Sequence, residues 1–126
     1  MRSLFDTIPP PPLAARYADW QLPDLHVVAT AIRGSPNVEL DAETPGLRWW
    51  AGDRPVGWAV HTDTGAWYLP IAHRGGPNLE RANVYAMLRD TLPGKTVTNL
   101  NTRFDVHMAR EDGLDLEAVG IIPSDV

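Results

Sequence analysis

Apolar and polar residues first alternate cleanly from Val38. Val38, Leu40 and Ala42 are separated by Glu39, Asp41 and Glu43, the two-residue period of a strand with one buried face. Thr44-Pro45-Gly46 interrupts that period. Residues 47–54 are irregular and carry Trp49 and Trp50. A second strand is predicted over residues 56–61, with Trp58 and Val60 on one side, and a third over 66–71. The turn signal Asp63-Thr64-Gly65 lies between them, so the three strands predict an antiparallel meander. Gly75, Gly76 and Pro77 mark a loop over 73–78. Leu79, Ala82, Val84, Ala86, Met87 and Leu88 then predict a helix, capped by Asn78 and ended after Leu92 by Pro93-Gly94. A fourth strand is predicted over 95–100. Thr102 caps a second helix running to Asp112, with Gly113 as its stop, and a short strand with its approach fills 114–122. The order β-β-β-α-β-α-β predicts an α/β protein, a mixed sheet covered by helices.

The first 35 residues read differently, as a Pro-rich N-terminal lead-in to a domain over residues 36–126. Pro9 to Pro12 favour a stiff extended segment with few backbone donors. Residues 13–20 suit a short helix that Pro23 would stop. Leu25, Val27, Val28 and Ile32 form a second apolar piece, either packed on the body or part of a loose arm.

Composition narrows the classes. A chain of 126 residues fits one domain. Eleven Lys and Arg against sixteen Asp and Glu leave a net charge of −5, which argues against gripping nucleic acid through a broad basic surface. The absence of cysteine excludes disulfides, thiolate metal sites and a cysteine nucleophile. No stretch approaches the roughly 18 apolar residues of a membrane span, so the expectation is a cytoplasmic protein with no membrane partner.

Two constellations can carry chemistry. Asp41 and Glu43 are i and i+2 on a strand, so both carboxylates leave one face, where they repel unless a cation or proton intervenes. Hard divalent cations take such oxygen ligands; the competing reading is the polar face of an edge strand. Asn101 and Asp105 are four apart at a strand-to-helix junction and share a face if both join the helix. An acid in a first turn is also ordinary helix chemistry. Trp49 and Trp50, with Arg48 and Arg54 nearby, either stack on single-stranded bases or form a packed or partner-facing loop. His61, His73 and His107 match no metal-ligand spacing and read as surface or hydrogen-bonding residues.

Taken together, Asp41-x-Glu43-x-x-x-Leu47 followed by Asn101-x-x-Phe104-Asp105 resembles the first two exonuclease motifs of the DEDD superfamily. The nearest likeness is the 3′–5′ proofreading domain of family A DNA polymerases, the DNA polymerase I type. Tyr68-Leu69-Pro70-Ile71-Ala72-His73 is similar to that family's segment after its third strand, and the likeness covers about residues 36–120. Gly46-Leu47-Arg48-Trp49-Trp50 and Arg74-Gly75-Gly76 resemble phage-encoded members, which would act in the host cytoplasm.

The resemblance implies a ribonuclease H-like fold and hydrolysis of the 3′-terminal phosphodiester of DNA, single-stranded or frayed, with two divalent ions, Mg²⁺ or Mn²⁺. It implies that Asp41 bridges both ions, that Glu43 ligates one and orients the attacking water, and that Asp105 holds the second. Thr44 and Leu47 would meet the terminal nucleotide, Asn101 would position the strand, and Phe104 would pack. His73, Trp49 and Trp50 would lie at the site's edge. The family also uses a fourth acid, with a Tyr or His before it, beyond the second motif. Asp112, Asp115 and Asp125 do not form that third motif. The expectation is therefore a domain incomplete at its C-terminus and weak or inactive alone, with a separate chain supplying the missing motif or a polymerase domain. The alternative is a non-catalytic nucleic-acid-binding or assembly module that keeps the fold.

Overall fold

A computed structural model describes residues 22–99 and 102–125, so the polyproline run and the helix expected over 13–20 lie outside it. Asp24 caps helix α1 (Leu25–Arg33), its Oδ1 accepting from the His26 amide at 2.8 Å. Val28, Ala29 and Ile32 recur at helical spacing and are buried. This apolar piece is thus a packed helix. Strand β1 (Asn37–Glu43) follows, then a single 3-10 turn (Trp49–Ala51) and strands β2 (Gly57–Thr62) and β3 (Gly65–Pro70). Helix α2 (Arg81–Thr91), strand β4 (Thr96–Asn99), helix α3 (Thr102–Glu111), the short helix α4 (Leu116–Val119) and strand β5 (Ile122–Asp125) complete the described chain.

The five strands form one mixed sheet in the order β3-β2-β1-β4-β5. β1 is central, antiparallel to β2 and parallel to β4. β2 also pairs antiparallel with β3, and β4 pairs parallel with β5. The register aligns apolar side chains across strands: Leu40 opposes Val60, Ala42 opposes Trp58, Trp58 opposes Leu69 and Val38 opposes Val97. This face meets Val28 and Ile32 of α1 and Val84, Tyr85 and Leu88 of α2, with Val106 and Ala109 of α3 in the same cluster. The opposite face carries Glu39, Asp41 and Glu43 beside Gly57, Ala59 and His61, because alternate residues of a strand share a side.

A polar chain crosses the core. Trp58 Nε1 donates to Tyr85 Oη at 3.1 Å, Tyr85 donates to Asp112 Oδ2, and Arg81 Nη1 donates to Asp112 Oδ1 at 3.0 Å. Burial, then the hydrogen bond to Asp112, push the Tyr85 phenol well above its ordinary value, so it remains a neutral donor. The side chain of Asp112 is almost fully enclosed, unlike the ordinary helix-end acid its position suggests.

Three local expectations are corrected. Asn78 does not cap α2, which begins at Arg81 behind Glu80. Instead the Asn78 amide closes the preceding loop: its Oδ1 accepts from His73 N and its Nδ2 donates to His73 O, both at 2.9 Å. The Leu79 amide is committed to Pro70 O at 2.8 Å, which keeps the chain extended past Asn78. Thr102, expected as the cap, is the first residue of α3. The approach over residues 114–121 contains a helix and the strand comes later: Asp115 caps α4 by accepting from Ala118 N at 3.2 Å, and β5 starts only at Ile122.

Candidate functional site

The C-terminal end of β1 opens into a cleft of about 350 Å³ lined by Asp41, Ala42, Glu43, Thr44, Leu47, Phe104 and Asp105. Five of the nine site residues singled out in the sequence therefore meet there: Asp41, Glu43, Thr44, Leu47 and Asp105. Strand geometry turns Asp41 and Glu43 to one face, and their cross-strand partners Ala59 and Gly57 are too small to shield them. Asp105 arrives in the first turn of α3, only 2% exposed, because α3 packs against β1 and β4. Phe104, expected as packing, is half-buried and also lines the cleft. Asn101 lies outside the described residues. Among the described residues, no three His, Asp or Glu side chains are gathered as closely as one metal ion would need.

The loop after β1 is held in shape by its own polar groups. Thr44 Oγ1 donates to Gly46 O at 2.6 Å. The Arg48 amide donates to Asp53 Oδ2 at 2.8 Å, and the Val56 amide to Glu43 O at 2.7 Å. A Cβ on Gly46 would lie 2.4 Å from Asp53 Oδ2, so this closure needs glycine. Leu47 projects from the loop at the cleft mouth, 71% exposed.

Next to Glu43 lies a pair from the Tyr68–His73 segment, of which only His73 was expected at the site's edge. Tyr68 sits across β2 from Asp41, in the row Asp41–Ala59–Tyr68, and its hydroxyl reaches over Gly57, the neighbour of Glu43. That hydroxyl is hydrogen-bonded to His73 Nε2. Burial lowers the imidazole below its usual range, an effect partly offset by the Glu43 carboxylate, so near neutral pH His73 is uncharged. The hydrogen-bond partner of Tyr68 lies five residues on in the next loop, but its nearness to Asp41 and Gly57 follows only from strand register. His73 thus stands within electrostatic reach of Glu43, whereas Trp49 and Trp50 stand on the loop beside the cleft and do not line it. A Cβ on Gly57 would lie 2.1 Å from Tyr68 Oη. Gly57→Ala is therefore expected to displace the phenol and lower stability by about 1–3 kcal/mol, read as a drop in thermal midpoint. An unchanged midpoint would mean that Tyr68 does not rest there.

His61 pairs with Glu39 at 2.9 Å on the exposed sheet face, and His107 stacks on Trp49. No helix among the described residues is long and apolar enough to cross a membrane.

Comparison with known proteins points to one group. The chain is 32% identical over 83 residues to "DNA polymerase DpoZ" of Acinetobacter phage SH-Ab 15497, an alignment covering 64% of this chain and 12% of that protein. It is 33% identical over 123 residues to a "DNA-directed DNA polymerase" of Pseudomonas phage M6, covering 87% of this chain and 18% of that protein. No family model matches. The chain is thus related to phage DNA polymerases and spans less than a fifth of the length of these two.

Proposed function

We propose that this chain carries a 3′–5′ exonuclease site of the ribonuclease H-like, DEDD type found in family A DNA polymerases, acting on the 3′ end of DNA. The observation that carries the reading is the meeting of Asp41 and Glu43 with Asp105, from a helix far along the chain, in one cleft. The sheet order, with the acid-bearing strand at its centre, and the likeness to phage DNA polymerases support it.

The donor set suits Mg²⁺ or Mn²⁺, since carboxylate oxygens are the ligands hard divalent cations prefer. Asp41, Glu43 and Asp105 are the residues that would hold two such ions. Bound there, the ions would activate water and stabilise the departing 3′ oxygen.

The protein's own groups do the rest. Asp41 and Glu43 together repel phosphate, so the cleft admits a phosphodiester only when their charge is balanced. Glu43 lies exposed at the rim, where its second oxygen can accept a hydrogen bond from the attacking water. Thr44 has committed its hydrogen to Gly46 O, so its Oγ1 offers lone pairs to a 3′-hydroxyl. Leu47 gives the terminal base an apolar surface.

The test is Mn²⁺ titration of the purified chain, followed by electron paramagnetic resonance, with parallel incubation of a 5′-labelled single-stranded oligonucleotide. Saturable Mn²⁺ binding is expected, with stepwise loss from the 3′ end weak or absent in this chain alone. No saturable binding, with the oligonucleotide left full length, rejects the reading and favours the non-catalytic module.

A further inference from the structure

The two adjacent tryptophans of the β1–β2 loop have different surroundings. Trp49 is fixed: its ring stacks on His107 with centroids 4.5 Å apart and planes 5° from parallel, and its carbonyl accepts from Arg54 Nη1 at 3.0 Å. Trp50 stands edge-on to Trp49, centroids 5.5 Å apart, and remains 67% exposed. Leu47, on the same loop, is the most exposed large apolar residue among those described and lines the cleft. An exposed indole on an anchored support, continuous with a cleft mouth, leaves apolar area in water that a flat partner would cover.

Charge decides which partner. The net charge is −5 and three carboxylates line the cleft. Arg48 stands on the β1–β2 loop itself, while several other arginines are engaged by carboxylates and carbonyls of the fold. Arg54 binds Trp49 O and Asp53 O and lies 3.6 Å from Glu111, Arg81 binds Asp112, Arg110 binds Glu117, and Arg33 binds Asp90. An exposed indole and Leu47 beside a carboxylate-lined cleft offer a strand a surface for its bases.

We propose that Trp50, with Leu47, is a stacking ledge for the unpaired bases next to the 3′ end of a nucleic-acid strand entering the Asp41–Asp105 cleft. The proposal rests on the exonuclease reading and adds the subsite that reading lacks. Trp49 and His107 act as the support: their stack fixes the loop to α3, so Trp50 is presented without a large ordering cost. Base-on-aromatic stacking at one position corresponds to about a 5- to 100-fold gain in affinity and tolerates any base.

The test measures anisotropy of a fluorescein-labelled oligothymidylate with non-hydrolysable 3′-terminal phosphorothioate linkages, and of a blunt duplex of equal length protected in the same way, in Mn²⁺ so that the cleft charge is balanced and cleavage cannot intervene. Trp50→Ala is expected to weaken binding of the single strand by about 5- to 100-fold. Trp50→Phe should retain most of the affinity. The duplex, with no unpaired bases, should bind weakly to both proteins. Equal single-strand affinity of wild type and Trp50→Ala overturns the ledge. Failure of the exonuclease reading is separately visible: a wild type that binds the single strand through Trp50 but takes up no Mn²⁺ keeps the ledge and loses the nuclease.

Discussion

Asp41→Asn is expected to weaken Mn²⁺ binding by at least about 10–100-fold and to reduce any metal-dependent 3′ shortening to background. That range is the usual loss when even an outer partner of a metal ligand is removed, so it is a floor for a ligand itself. Asp41 lies on the central strand and lines two openings, the carboxylate cleft and a groove of about 420 Å³ floored by Ala59 and Ala66. The change to Asn is nearly isosteric and leaves the backbone pairing with Ala59 intact. A half-exposed position of this kind should shift stability by no more than about 0.5 kcal/mol. Metal affinity and thermal midpoint should therefore separate: the first falls and the second holds. Retained Mn²⁺ affinity in Asp41→Asn would remove Asp41 from the ligand set.

Trp58→Ala is expected to be the most damaging single change to the fold. Trp58 is fully buried, packed between Ala42 and Leu69 across the sheet. Truncating such a residue costs about 3–5 kcal/mol, against total stabilities of roughly 5–15 kcal/mol. The loss reaches beyond volume, because Trp58 Nε1 is the donor that meets Tyr85 Oη, and Tyr85 and Arg81 together enclose Asp112. One substitution on β2 thereby loosens α2 and the end of α3. Thermal denaturation should show a midpoint lower by roughly 10–30 °C. Trp58→Phe keeps most of the packing and gives up the hydrogen bond, so about 1–2 kcal/mol should be lost there. A midpoint within a few degrees of wild type in Trp58→Ala would mean that this chain does not anchor the helices.

Several features were legible before any coordinates. Alternation over Val38–Ala42 and around Trp58 marks strand faces, because a strand's period depends only on its own backbone. Helix α2 was legible from its apolar spacing, but its start was not. Asn78 offers the same side-chain chemistry to a helix end as to a loop, and the loop took it. Helix α4 was missed although Asp115 stands at its cap, since four residues are too few to show a period. In sequence Asp112 is an ordinary helix-end acid, because Arg81 and Tyr85, its partners, come from a different helix.

The site divides along the same line. That Asp41 and Glu43 leave one face is a local consequence of i, i+2 spacing, and sequence alone determined it. That Asp105 shares their cleft was decided by tertiary structure, through the parallel pairing of β4 with β1 and the packing of α3 behind it. The same holds for Tyr68 over Gly57, which needs the register of β2 with β3, and for the division of labour between Trp49 and Trp50, which needs His107. Backbone periodicity orders neighbours within an element. Contacts between elements depend on which faces must be buried against each other, and only the folded chain resolves that competition.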